Sequence, residues 1–190
     1  ALAPKTLGAY TELSRQSMMQ STPAADSLVM NDLAKVLGLA IDLAGLEGPG
    51  TGGAPTGISA TAGIGSVSGT SLRIAGITEF QTDLASANAL TTGCAYLTTP
   101  AVAGLLAQRQ RFASTDTPLW VGNILDGTVA GYRASTTTQM TAASAIFGDF
   151  SQIVIGEWGM LEIALNPYAA FATAITGIRA IQSVDVGVRQ

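Results

Sequence analysis

The sequence predicts an α+β fold in two parts, and three features carry this prediction. An amphipathic run over residues 23–46 predicts one helix roughly 35 Å long. A stretch rich in glycine and proline follows over 48–57. Regular structure is not expected there, and we predict a domain boundary at this stretch. The end of the chain alternates apolar and polar residues over 178–188, which is typical of a strand with one buried face.

The long helix is predicted to follow an extended segment over residues 7–19, with a helical turn beginning over 14–19 as the alternative. Thr22 followed by Pro23 is typical of a helix start, because a hydroxyl can cap free N–H groups and proline fits the first helical position. The helix is predicted to end at Leu46. Its apolar stripe, at spacings of three and four residues, consists of Val29, Leu33, Val36, Leu37, Ala40, Ile41 and Ala44.

The middle of the chain predicts a mixed α/β layer. Thr78 and Gln81 have the spacing of a capping box, which predicts a helix that Gly93 stops. A short strand over 95–99 follows, and Pro100 is expected to open another helix.

Further strands are predicted towards the end of the chain. Leu119–Leu125 and Thr128–Ser135 flank Asp126-Gly127, a pair that tolerates the positive φ angles of a hairpin turn. Apolar residues alternate over 153–155 and 161–165, and Asn166-Pro167 then predicts a turn.

The composition points to a protein that buries its surface against copies of itself. Only 12% of the 190 residues are charged, whereas 47% are hydrophobic. No uncharged stretch is apolar enough for a membrane-spanning helix, so membrane insertion is not expected. The net charge is −4 and the nine basic residues are scattered, which argues against sequence-specific nucleic-acid binding. Self-association is the remaining explanation for the low charge.

The residue types needed for common catalytic sites are scarce. The chain has no histidine, which removes the usual activator of serine and cysteine nucleophiles and the commonest metal ligand. Cys94 is the single cysteine, so neither an internal disulfide nor a thiolate metal cluster can form. We therefore predict no catalytic, metal or cofactor-binding residue.

Glu157 and Glu162 form the one carboxylate pair with catalytic interest, since paired carboxylates can hydrolyse glycosides. On strands they would point to opposite faces, which favours solvated or interface carboxylates and leaves a glycosidase as a remote alternative. Trp120 and Trp158 are expected to serve in the core or in subunit contacts.

Several segments together resemble the major capsid proteins of tailed bacteriophages with the Hong Kong 97 fold. The most specific is 39–58, where Asp42-Leu43-Ala44-Gly45-Leu46 ends the helix and a Gly-Thr-rich turn leads to Pro55-Thr56-Gly57-Ile58. Other matching segments follow in the family's order: 10–16, 20–21, 96–100, 119–122, 131–133, 148–152 and 184–189.

The resemblance implies a peripheral domain over 1–58 and 163–190, built on the spine helix and the closing strands, and an axial domain over 59–162. It also implies a structural subunit that assembles into pentamers and hexamers of an icosahedral shell around packaged DNA. The chain would be roughly the C-terminal two-thirds of such a subunit. The N-terminal arm and the extended loop would precede Leu7 and are expected to be missing, so no cross-linking residue is assigned.

The partners implied by the resemblance are copies of the chain and, from the same phage, scaffold, portal and maturation protease. The virion is the implied location, with assembly in the host bacterial cytoplasm. The alternative within the same fold is an encapsulin-type compartment shell. Candidate subunit contacts are Tyr10, Glu12, Ser14, Arg15, Gln16, Trp120 and Trp158.

Overall fold

The computed structural model describes residues 2–20, 24–69 and 72–189. The chain divides into two compact units. The first unit comprises Ala1–Ala60 and Ile155–Gly187, and the second comprises Thr61–Val154 and Val188–Gln190. The predicted domain boundaries, at which the chain passes from one domain to the other, were 58/59 and 162/163.

The described residues form eight strands and four α-helices, joined by loops and short 3-10 turns. In chain order they are β1 (Lys5–Ser14), α1 (Arg15–Gln20), α2 (Ala24–Glu47), α3 (Ile74–Ser86), β2 (Ala95–Thr98), α4 (Pro100–Gln108), β3 (Trp120–Gly122), β4 (Asp126–Val129), β5 (Tyr132–Thr136), β6 (Ala145–Gly148), β7 (Ile153–Ala170) and β8 (Ile175–Val188).

The first unit is a three-stranded sheet covered on one face by the long helix α2. The strand order is β1-β8-β7, and β1 pairs antiparallel with β8 from Lys5 opposite Val184 to Ser14 opposite Ile175. Residues of β1 alternate strictly between half-buried and exposed, as expected where one face is covered. The core consists of Leu33, Leu37, Ile178 and Ala180, with Leu7, Ala9, Leu13, Val29 and Ile163 packed around it.

The long helix and the closing strand are where the sequence predicted them, with differences in detail. The helix start at Thr22-Pro23 lies outside the described residues, and α2 continues one residue beyond Leu46. The extended segment ends at Ser14 because α1 begins at Arg15. Val36 was predicted to lie on the buried stripe and is instead exposed, since it lies on the side of α2 that faces away from the sheet.

The glycine- and proline-rich stretch after α2 folds back on itself as an ordered loop. The N–H of Gly57 donates to the carbonyl of Gly48 over 2.8 Å, and the N–H of Gly50 donates to the carbonyl of Pro55 over 3.0 Å. A Cβ on Gly48 would lie 2.4 Å from the carbonyl oxygen of Pro55, and one on Gly57 would lie 2.4 Å from the backbone nitrogen of Gly48. Both positions therefore require glycine.

The second unit is a five-stranded sheet of order β3-β4-β5-β2-β6. β2 pairs parallel with β5, and the other neighbours pair antiparallel. The ring of Tyr96 stacks on Phe147 at 4.2 Å, and burial raises the pKa of Tyr96 to about 12 although Gln81 donates a hydrogen bond to it. The core cluster consists of Ile77, Cys94, Tyr96, Ala103, Leu106, Leu119, Trp120, Val129, Ala134 and Phe147.

The predicted capping box at Thr78 is wrong. Helix α3 begins four residues earlier, at Ile74, with Arg73 at the N-cap position. The Thr78 hydroxyl donates to the carbonyl oxygens of Ile74 and Ala75 inside the helix, so it caps nothing. Gln81 instead donates to the hydroxyl of Tyr96 and so connects α3 to the sheet.

The predicted hairpin turn at Asp126-Gly127 is also wrong, because both residues lie within β4. The turn between β4 and β5 is Ala130-Gly131, where φ is +48° and +91°. Gly127 meets a packing requirement, since a Cβ there would lie 2.6 Å from the indole nitrogen of Trp120. Tertiary packing therefore explains a glycine that the sequence pattern assigned to a turn.

The strands near the end of the chain also depart from prediction. β7 runs without interruption through Asn166 and Pro167, so the predicted turn is absent and its two strand segments are one. β6 was not predicted, because its residues, Ala145–Gly148, show no alternation of apolar and polar side chains.

Asp185 was predicted to lie on the solvated face of the last strand, and it is only 4% exposed. Its carboxylate accepts from the backbone N–H groups of Ala3 and Val186, and its Oδ1 lies 3.1 Å from Nζ of Lys5. Burial acts to raise the pKa of this carboxyl, but these hydrogen bonds and the ammonium group outweigh it and lower the pKa.

We expect Asp185→Asn to lower the free energy of unfolding by about 2–3 kcal/mol at pH 7. Because the folded-state pKa lies below the unfolded value, ionised Asp185 stabilises the fold fully above that value and loses its effect as the pH falls. The difference in the free energy of unfolding between wild type and variant, measured by urea unfolding, should therefore shrink below pH 3.8. Exposed Asp116→Asn is the control, and a difference independent of pH would contradict the assignment.

Candidate assembly surfaces

The outer face of β1 is the surface on which most predicted contact residues lie. Tyr10, Glu12 and Ser14 alternate with the residues that pack under α2, so they share the opposite, exposed face. The hydroxyl of Tyr10 donates to Oε1 of Glu12 over 2.9 Å, and this bond to a carboxylate raises the pKa of Tyr10. The ring of Tyr10 lies over Gly177, where a Cβ would be 2.6 Å from the hydroxyl. These contacts hold Tyr10 in place, although the residue is 56% exposed.

Arg15 and Gln16 continue this exposed region into the first turn of α1. Both side chains are exposed, and the backbone N–H of Arg15 donates to the carbonyl of Ala174 over 3.0 Å. Five of the seven predicted contact residues therefore lie on β1 and the residues directly after it, and all five are exposed.

The edge strand β7 carries a second surface that the sequence identified only through Trp158. It forms one edge of the first unit's sheet and exposes large apolar side chains, which is typical of strands that are covered on association. Met160 is 91% exposed and Tyr168 is 74% exposed. Gly159, with φ +77°, interrupts the alternation of faces. The exposed apolar residues of β7 within this unit are Ile155, Trp158, Met160, Leu161, Leu165 and Tyr168.

The two tryptophans occupy different environments. The ring of Trp158 lies over Gly156, where a Cβ would be 3.1 Å away, and Trp158 remains partly exposed. Trp120 is only 2% exposed, and its indole N–H donates to the carbonyl of Asn123 over 2.8 Å. Trp120 is therefore removed from the candidate contacts, because its bulk fills the core of the second unit.

Glu157 and Glu162 both lie on the exposed edge strand, on either side of Gly159. Neither lines the two cavities found in the second unit. Retaining and inverting glycosidases hold two carboxyl groups across a substrate cleft, and an exposed strand edge offers no such enclosure.

The larger of these cavities is basic and was not predicted from the sequence. It has a volume of about 550 Å³ and lies beside the start of α3 and the segment after α4. Its lining residues are Arg73, Ile74, Arg109, Gln110, Arg111, Phe112, Ala113 and Leu119. Arg109 and Arg111 are close in the chain, but Arg73 lies far from both, so only the fold brings all three together. The smaller cavity, of about 140 Å³, shares Ile74, Arg111 and Leu119.

Within residues 2–20, 24–69 and 72–189, no helix is both long and apolar enough to cross a lipid bilayer. The same ranges contain no group of three or more acidic or cysteine side chains placed to hold a metal ion.

Comparison with known proteins gives one consistent family. The model of the phage capsid family matches residues 1–190. The major capsid protein of Halomonas phage phiHAP-1 is 28% identical over all 190 residues, and the chain spans 31% of that protein's length.

Solved structures show the same fold. The capsid of a native GTA particle aligns with a TM-score of 0.70 at 18% identity, covering 97% of this chain and 69% of that one. A chain from Mycobacterium phage Ogopogo aligns with a TM-score of 0.70 at 20% identity, covering 98% of this chain and 72% of that one. With the family model matched from end to end, the chain belongs to the phage capsid family.

Proposed function

We propose that this chain builds the shell of a phage or prophage capsid as a structural subunit of pentamers and hexamers that enclose packaged DNA. The observation that carries the proposal is the family match over the whole chain. The first unit would be the peripheral domain and the second the axial domain. The assignment rests on the long helix and closing strands in one unit and the mixed sheet in the other.

The exposed surfaces of the first unit support an assembling subunit. A strand edge with large apolar side chains is an association surface unless something covers it. We assign this role to two surfaces: the outer face of β1 with Tyr10, Glu12 and Ser14, continued by Arg15 and Gln16, and the β7 edge with Trp158. Neighbouring copies of the chain would cover both.

We infer the cargo and the setting from the family match. A match to phage capsids favours a DNA-filled viral shell over an encapsulin-type compartment. Scaffold, portal and maturation protease of the same phage would be its further partners. Assembly would take place in the host bacterial cytoplasm, and the virion would be its final location. We assign no catalytic role to Glu157 or Glu162.

The β7 surface can be tested at Met160. We expect Met160→Asp to reduce assembly at least tenfold, because burying an unpaired carboxylate in an apolar contact is costly. Folding should be unchanged, since the side chain is 91% exposed. Light scattering of the protein expressed from the complete open reading frame measures assembly, and circular dichroism measures folding.

Met160→Leu is the matched control, as it keeps an apolar side chain of similar size. It should assemble like the wild type. If Met160→Asp assembled equally well, β7 would not be a subunit contact.

A further inference from the structure

The basic cavity of the second unit concentrates positive charge in an acidic chain. Three of the nine basic residues line it, although the net charge of the chain is −4. Arg73 occupies the N-cap position of α3 and makes no side-chain cap hydrogen bond. Arg109 and Arg111 follow α4, and the guanidinium of Arg111 lies 5.9 Å from the centroid of the Phe112 ring.

The segment that carries two of these arginines is held in place by backbone hydrogen bonds. The N–H of Arg111 donates to the carbonyl of Thr117 over 2.8 Å, and the N–H of Leu119 donates to the carbonyl of Arg109 over 2.9 Å. The guanidinium of Arg109 also donates to the carbonyl of Leu72, next to Arg73. The backbone that carries Arg109 and Arg111 and the side chain of Arg109 are therefore fixed beside the cavity.

No carboxylate of the described chain neutralises this cluster. The ion pairs among the described residues lie elsewhere, and they join Lys5 to Asp185, Lys35 to Asp32 and Arg133 to Asp126. The lining residues include no aspartate or glutamate. Three like charges around one concavity repel one another, so an oxyanion that enters it gains attraction from all three.

The shape of the cavity favours an inserted carboxylate over duplex DNA. Binding along a duplex requires cations spread over successive phosphates, whereas these three arginines line one concavity. Arg133, another cation of this unit, is already paired with Asp126. A single side chain that projects into the cavity matches this arrangement better.

Helix α3 offers the complementary charge on the same unit. Glu79 and Asp83 are exposed, lie one turn apart, and take part in no ion pair among the described residues. Like charges at this spacing destabilise a helix slightly, so the pair does not stabilise α3 itself. In a ring with cyclic symmetry each interface joins two different patches of the same chain, and such patches must be complementary.

We propose that the cavity lined by Arg73, Arg109 and Arg111 in one subunit receives acidic side chains of the neighbouring subunit's α3. Glu79 and Asp83 would supply the negative charge. This inference rests on the proposed function, because it requires rings of identical subunits. It assigns a specific electrostatic contact between the second units of adjacent copies.

A charge-swap experiment tests this contact in the protein expressed from the complete open reading frame. The double variant Arg73→Glu with Arg111→Glu makes the cavity net negative, and the double variant Glu79→Lys with Asp83→Lys makes the facing pair positive, so each should reduce assembly at least tenfold because like charges then meet. The quadruple variant that combines all four changes again joins opposite charges and should recover most of the loss. Lys35→Glu reverses a charge on the exposed surface of α2 and should assemble normally.

The outcomes separate this inference from the proposed function. Normal assembly by Arg73→Glu with Arg111→Glu, or no recovery in the quadruple variant while circular dichroism shows a native fold, would overturn the contact and leave the shell proposal intact. If Arg73→Glu with Arg111→Glu lost binding of duplex DNA in a gel-shift assay and assembled normally, DNA would be the ligand and the contact would be refuted. A wild type that failed to assemble would overturn both proposals.

Discussion

Replacing Gly48 with alanine is expected to lower the free energy of unfolding by at least about 3 kcal/mol, which places it among the most damaging single changes in the chain. A Cβ at this position would lie 2.3 Å from the carbonyl oxygen of Ala44 and 2.4 Å from that of Pro55. Both contacts are with backbone atoms, so no side-chain rotation relieves them. Urea unfolding followed by circular dichroism measures the effect.

Gly38→Ala is the matched control for this substitution. Gly38 lies within α2, and a Cβ there would meet nothing within 4 Å. Alanine at an exposed helix position should stabilise the protein by up to about 1 kcal/mol. Equal effects of Gly38→Ala and Gly48→Ala would show that the loop after α2 does not require its glycines.

Trp120→Ala is expected to cost about 3–5 kcal/mol, because it removes the largest fully buried side chain of the second unit. The substitution also leaves the carbonyl of Asn123 without its indole donor. Thermal unfolding followed by circular dichroism measures the loss. Trp158→Ala is the control, since this partly exposed side chain should cost only about 1 kcal/mol. Similar losses at the two positions would contradict the core assignment of Trp120.

The elements with strong hydrophobic periodicity could be predicted from the sequence. The spine helix and the last strand each carry a long apolar pattern that matches one structural period. The exposed face of β1 also followed from the resemblance of residues 10–16 to the capsid family. These features are local, so neighbouring residues determine them.

Features that depend on contacts between distant residues could not be predicted. Gly127 suggested a turn, but it accommodates the indole of Trp120, and Asp185 suggested a solvated face, but it is buried beside Ala3 and Lys5. The basic cavity depends on residues 73 and 109–111, which no short motif connects. The strand edge of β7 was partly missed because Asn166-Pro167 resembled a turn.

Electron microscopy of the protein expressed from the complete open reading frame tests the central claim most directly. Closed shells, or rings of five or six subunits, are the expected result. A well-behaved monomer at high concentration would contradict the claim, since the family fold would then be present without the assembly that we propose.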